Sequence, residues 1–291
     1  MRLAASTLAL PPLTHQPLLR YLRPMGLSGV EVVPARAWEA PCEGVSSTEV
    51  ATYRRAVHAA GLRIVGMDGL FAGRPDLGVL GDANTVRRSV EVTAHLSAVC
   101  RDLGGHSLIL SEPRRRDGRS AKAAWAACKA FLDAVLPRIE GHGTVLCLAP
   151  LEPADGDVCT TVHDCRGLVD YVGHGAFGLS LSARALAAHG ETGQAAFCLL
   201  YRRVEHVHAD EPDLVELGRS GRVDHAGLYR QLSAQGYCDW ITLKQRTTAF
   251  PLDSLGLGCR RLGSFYLGDG PSAVEECEAA APDRPPSRRP S

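Results

Sequence analysis

The sequence predicts an α/β protein folded as a single (β/α)8 TIM barrel, and three observations carry that prediction. Strand-like and helix-like segments alternate along nearly the whole chain, and eight of them read as strands. Glycines precede most of those strands, at Gly61, Gly104, Gly105, Gly141, Gly175 and Gly236, where a helix must end in a left-handed residue and turn back. At 291 residues the chain also suits one such barrel, which typically takes about 250.

The elements follow in order. Apolar runs place strands at Leu3 to Ser6, Gly29 to Val33, Arg63 to Met67, Ser107 to Leu110, Val145 to Leu148, Phe177 to Leu181, Val204 to His208 and Trp240 to Leu243. Ser46 with Glu49 forms a capping-box pattern ahead of a helix at Val50 to Ala60. Further helices fit Thr85 to Leu103, Ser120 to Glu140, Thr161 to Val172, Ala183 to Arg202, Asp224 to Gln235 and Leu252 to Leu262. The barrel domain is thus drawn over residues 1 to 268. From Asp269 to Ser291 the chain turns rich in Pro, Ser, Ala and charge, and this composition predicts a disordered tail.

Composition narrows the function classes. Lys plus Arg equals Asp plus Glu at 32 each, so no net field favours nucleic acid or a membrane surface. No run approaches the roughly 20 apolar residues of a membrane span, and Pro11 and Pro12 interrupt the short apolar N-terminus too early for a signal peptide. The ten cysteines show neither a CxxC pair nor regular spacing, which suits buried packing residues in a reducing cytoplasm. A cytoplasmic protein acting on a small molecule is the expectation.

The seventh strand holds the densest chemistry. In VEHVHADE, residues two apart share a face, so His206, His208 and Asp210 converge at the strand end, where a parallel α/β barrel keeps its site.

Several motifs in order resemble the sugar-phosphate isomerase/epimerase family of the xylose-isomerase-like barrels. They are GVEVVP at 29 to 34, YRRAVHAAGLRIVGMDGLFAGRPDLGVLGD at 53 to 82, LILSEPRRRDGR at 108 to 119, HVHADEPDLVELG at 206 to 218 and VDHAGLYRQLSAQGYCDWITLKQR at 223 to 246. The resemblance implies a divalent metal held by a Glu after strand five, an Asp after strand six, a His after strand seven and a Glu after strand eight. The two glutamates would also move the substrate proton between adjacent carbons. His208 matches the histidine. The other three positions depart: LCLAPLEP puts Ala149 at the first Glu, with Glu152 three residues on, GLSLSAR puts Ser182 at the Asp, and ITLKQR puts Lys244 at the second Glu. One imidazole cannot replace three carboxylates for a hard ion, and an ammonium repels it, so no metal is expected in the usual position. A divalent metal enters only through a rearranged set of His206, His208, Asp210 and Glu31, whose imidazoles favour Zn²⁺.

Lys244 admits three readings: an ion pair with Glu31, Asp210 or Glu211, an ammonium standing in for the lost cation, or a Schiff-base amine. The catalytic expectation names His208, Lys244, Asp210 and Glu31. His206, Ser182, Arg114, Arg116, Glu211 and Arg246 are expected to bind substrate, against the alternatives of a structural histidine and a solvated run Arg114 to Arg116. Cys147 reads as packing.

The function that follows is a metal-independent enzyme of the isomerase/epimerase type. It would move a proton by acid/base chemistry, in isomerisation, epimerisation or elimination on a small polar carbonyl or hydroxy metabolite. Two alternatives stand beside it: a non-catalytic barrel binding a metabolite or partner, and a metal-dependent sugar isomerase with rearranged ligands. Pairing into a homo-oligomer is left open.

Overall fold

The computed structural model describes residues 1–198, 200 and 204–267. Eight parallel strands close into a barrel in chain order: β1 (Arg2–Ser6), β2 (Gly29–Val32), β3 (Arg63–Asp68), β4 (Ser107–Leu110), β5 (Val145–Leu148), β6 (Phe177–Ser182), β7 (Val204–Asp210) and β8 (Trp240–Lys244). Closure is made by β8 pairing with β1, where Ala4 faces Thr242. The fold class read from the sequence is therefore the observed one.

Helices α1 (Pro34–Ala37), α2 (Ser47–Ala59), α3 (Ala83–Leu103), α4 (Ala121–Ile139), α5 (Val162–Val172), α6 (Ala183–Ala188), α7 (Gln194–Cys198), α8 (His225–Ala234) and α9 (Pro251–Tyr266) fill the crossovers. Side-chain caps start the long ones. Ser46 and Glu49 form the capping box of α2, Asp82 accepts from the Thr85 N–H at α3, and Ser120 and Thr161 cap α4 and α5. Left-handed glycines end α3 at Gly104 and α5 at Gly173. Apolar faces of these helices bury Leu96, Leu103, Phe131, Leu168 and Leu262 against the outward side chains of the sheet, such as Val32, Leu108, Leu146 and Leu243.

One helix differs from its expected span. The stretch from Ala183 breaks after α6, where Gly190 takes a φ of +67° and the chain turns before α7 begins at Gln194. Residues 199 and 201–203, which include its expected end at Arg202, and the tail from Asp269 lie outside the described residues. No described helix is long and apolar enough to cross a membrane.

Register fixes what points inward. Asp68 pairs with Ile109, Ile109 with Cys147 and Cys147 with Gly178, so these positions share one level of the barrel. A second set runs Ser182, His208 and Thr242. Gly66 is required where β3 meets β4, because a Cβ there would lie 2.1 Å from the Ser107 carbonyl oxygen. Register shifts sit at Val30/Glu31 and at Leu179/Ser180, next to the polar residues described below, and such bulges re-aim side chains.

Candidate functional site

Four strand ends deliver a compact polar cluster. From β7 come His206, His208 and Asp210, all buried; β2 adds Glu31, β3 adds Asp68 and β8 adds Lys244. Asp210 and Lys244 are partners in register, so the carboxylate and the ammonium arrive side by side.

Glu31 and His206 have no exposure. Glu31 Oε1 accepts from His208 Nε2 at 2.8 Å. His206 Nε2 lies 3.0 Å from the same oxygen but off hydrogen-bond angle, which leaves both of its ring nitrogens and Glu31 Oε2 without partners. Burial opposes charge on both members of the Glu31–His208 pair, yet the mutual attraction wins: Glu31 is held well below the usual carboxylate range and His208 is raised above an ordinary imidazole. The two titrations are therefore coupled: a charged Glu31 favours a proton on His208, and a protonated His208 favours charge on Glu31.

Lys244 Nζ lies 2.5 Å from Asp68 Oδ2, and Ser111 Oγ donates to Asp68 Oδ1 at 2.7 Å. Burial would favour the neutral amine, but Asp68, Asp210 and Glu31 outweigh it and raise the Lys244 pKa. The ion pair favours the protonated amine, against the lowered pKa that a Schiff-base role asks for. The ion-pair partner of Lys244 is Asp68, not Glu31, Asp210 or Glu211 as expected from sequence. Asp210 is instead fixed by Ser182 Oγ at 2.9 Å and the Arg184 N–H at 3.0 Å. The Arg184 guanidinium ties together Glu152 at 2.5 Å, Asp155 at 3.2 Å and Asp210 at 3.3 Å. Glu152 is thus occupied by an arginine.

The remaining expected binders are placed elsewhere. Arg114 is buried, and its guanidinium donates to the carbonyls of Leu110, Ala149, Cys159 and Val158, so it stitches the β4 and β5 loops together rather than facing a ligand. Arg116 is exposed and pairs with Asp157 at 3.1 Å. Glu211 turns away from the barrel, accepting from His225 at 2.9 Å and the Gly218 N–H at 2.7 Å, and Arg246 is exposed beyond β8. The Cys147 thiol is buried beside Ile109 and Ala149 with its pKa pushed well up by burial, consistent with packing.

Sequence reading missed Asp68, Glu112 and Arg184. Glu112, two residues past β4, accepts the Phe71 N–H at 3.0 Å on Oε1, while its Oε2 has no partner. Burial raises this carboxyl to about 7, and nearby Asp68 adds to the effect. The signal was present in LILSEP, where a strand end is followed by an acid.

The four positions assigned by resemblance to a metal do not fit one. They present a methyl at Ala149, a hydroxyl at Ser182 already bonded to Asp210, an imidazole pinned to Glu31 and a protonated amine at Lys244. A different set exists: Glu31, His206 and His208 each offer a ligand atom, all within 4.8 Å of one another.

Comparison with known proteins bears on the fold. A model of the xylose isomerase-like TIM barrel matches residues 19–258. An L-ribulose 3-epimerase structure superposes with a TM-score of 0.76 at 17% identity, covering 98% of this chain and 99% of that one. A D-psicose 3-epimerase in the presence of D-fructose gives 0.75 at 14% identity over 92% and 100%. A 3-keto-D-glucoside 4-epimerase from E. coli gives 0.73 at 17% over 90% and 99%. A search of the curated proteins finds no match.

Proposed function

Because the chain belongs to the xylose isomerase-like TIM barrel family, we propose that it is an isomerase/epimerase-type enzyme that works without a metal in the family's usual position. Its substrate is a small polar carbonyl or hydroxy metabolite. The observation that carries this reading is the buried ammonium of Lys244, locked 2.5 Å from Asp68 at the strand-eight position where the family places a ligand acid.

Lys244 supplies a fixed positive charge for the oxygen on which negative charge develops when a neighbouring C–H bond breaks. His208 carries the proton. In its neutral form it removes the proton from carbon, and the resulting imidazolium is stabilised by Glu31. The same imidazolium returns the proton on the same face to the adjacent carbon as the hydroxyl proton passes to the former carbonyl oxygen. Inversion at the first carbon needs the planar intermediate to turn its other face to His208 before the proton returns. Asp68 keeps Lys244 in place, and Asp210, held by Ser182 and Arg184, adds to the field that favours its charge. The neighbours' epimerase activities support proton transfer next to a carbonyl as the reaction class.

Incubation of metal-depleted protein with D-fructose, D-allulose, D-tagatose and L-ribulose in D2O tests this. Deuterium should enter at a carbon next to the carbonyl in at least one of them. Lys244→Met and His208→Asn should each slow exchange by about 10²-fold or more. Exchange that survives both substitutions, or its absence from every sugar, overturns the reading.

The Glu31, His206 and His208 set, with both His206 nitrogens unpaired, favours a second reading in which a transition metal binds there. Elemental analysis of protein purified without added metal separates the two. A stoichiometric ion lost in His206→Ala supports the second, and exchange by the metal-free protein supports the first.

A further inference from the structure

Charge around the mouth is unevenly matched. Glu31, Asp68, Asp210, Glu152 and Asp155 are gathered around three cations, namely His208, Lys244 and Arg184. Lys244 lies in the field of Asp68, Asp210 and Glu31, and Arg184 in that of Asp210, Glu152, Asp155 and Asp68. Both are already matched by carboxylates, so a phosphate or carboxylate would meet more negative than positive charge there.

The arginines of the neighbouring loops are also committed. Arg114 is spent on backbone carbonyls, Arg36 on the carbonyls of Leu8 and Leu10, and Arg116 on Asp157. Arg246 has no such commitment among these, and it is exposed outside the barrel. At the β3–β4 side stands Glu112, buried, with Oε1 on the Phe71 N–H and Oε2 unpartnered. Once Glu112 is ionised this oxygen only accepts, so the partner it lacks in that form is a donor.

We propose that this mouth takes a substrate bearing a protonated amine, an amino-substituted carbonyl or hydroxy compound whose ammonium is held by Glu112, in preference to the neutral or phosphorylated counterpart. The proposal rests on the reading of the barrel as an enzyme for a small carbonyl or hydroxy metabolite. An ammonium brings both the donors that Glu112 Oε2 lacks and the positive charge that the surplus of carboxylates lacks. A phosphate brings only acceptors and further negative charge.

Glu112 also gives the binding a pH signature. The groups that act on it are the Phe71 N–H from the loop after β3, Asp68 on β3, its own backbone N–H, and Arg114 two residues on. Together with burial they leave its carboxyl titrating at about 7. A bound ammonium favours the ionised form, so affinity for an amine should rise as pH rises through this range.

The test compares 1-amino-1-deoxy-D-fructose, D-fructose and D-fructose 1-phosphate by calorimetry, with solvent deuterium exchange followed for each. The amine should bind roughly tenfold tighter than D-fructose, and the phosphate roughly tenfold weaker. The amine's affinity should climb several-fold from about pH 6 to about pH 7.5 as Glu112 ionises. Glu112→Gln, which keeps an acceptor for the Phe71 N–H, should bring amine and D-fructose within about twofold and abolish the pH slope. Circular dichroism confirms that the variant is folded, and Arg246→Ala reports on the rim.

Tightest binding by the phosphate, above all if lost in Arg246→Ala, overturns the proposal. So do equal affinities, undetectable binding of all three, or an amine preference that Glu112→Gln leaves intact. The underlying reading fails separately: an amine that binds tightly through Glu112 yet exchanges no deuterium keeps the substrate class and removes the proton-transfer chemistry, whereas exchange in the phosphate alone does the reverse.

Discussion

The inside of the barrel has two unlike walls. On one, β4 and β5 contribute Ile109, Cys147 and Ala149, a small apolar cluster set apart from the main core. On the other, β2, β3, β7 and β8 contribute Glu31, Asp68, His206, His208, Asp210 and Lys244, all nearly inaccessible. Ala149, where the resemblance implies an acid, leaves the first wall apolar, and Lys244 on β8 brings positive charge to the second. The difference teaches where charge is balanced: the buried carboxylates of the second wall face an ammonium and two imidazoles supplied by side chains of that same wall.

The largest effect should come from putting charge on the apolar wall. Ala149→Glu buries a carboxyl among Ile109 and Cys147 with no room for it, and should cost about 5 kcal/mol from desolvation and overpacking together. A urea titration showing a loss under about 1 kcal/mol would mean that Lys244 reaches across and that the walls exchange charge freely. Breaking the polar wall comes next. Lys244→Met strands Asp68 as a buried, unpaired carboxylate and should cost about 4 kcal/mol, most of it recovered in the double variant with Asp68→Asn. An additive double variant would show that the pair carries no coupling.

Much of this arrangement was legible in the sequence because it rests on period-two alternation. His206, His208 and Asp210 face one way for that reason, and Lys244 follows from register with Asp210. The partner of Lys244 was not legible. Asp68 belongs to β3, and only closure of the barrel brings it within 2.5 Å. Arg114 misled for a related reason. A run of three arginines reads as solvated, and nothing local announces that the first turns inward onto four carbonyls of loops 35 to 45 residues away and of its own strand. The helix expected to run on from Ala183 failed at Gly190 and Gly193, a punctuation visible in the sequence and outweighed there by the apolar run around it.

The third prediction separates the walls by pH. Glu112 has an ordinary pKa of 4.5 when unfolded and about 7 when folded, so the folded state holds its proton over a range where the unfolded state has released it. Its contribution is fully present below about pH 4.5 and is lost as pH rises to about 7, a change of about 3 kcal/mol. Asp68 and Glu31 act oppositely: their folded pKa values are depressed, so their contribution is present above the unfolded carboxylate range and is lost as pH falls through the folded values. Wild type and Glu112→Gln, compared by urea midpoint at about pH 5 and about pH 7.5, should differ in slope, the variant gaining relative stability at the higher pH. Parallel behaviour would mean that Glu112 ionises as freely in the fold as outside it.

The smallest effect belongs to the apolar wall and is its control. Ile109→Val removes one methylene from a fully buried side chain packed on Cys147 and Ala149, and should cost about 1 kcal/mol through lost contacts and a small cavity. No ionisable group takes part, so the cost should be the same at every pH where the polar wall's contributions are changing. If it tracks pH instead, Ile109 is coupled to Asp68, its neighbour in register on β3, and the two walls are one cooperative unit rather than two.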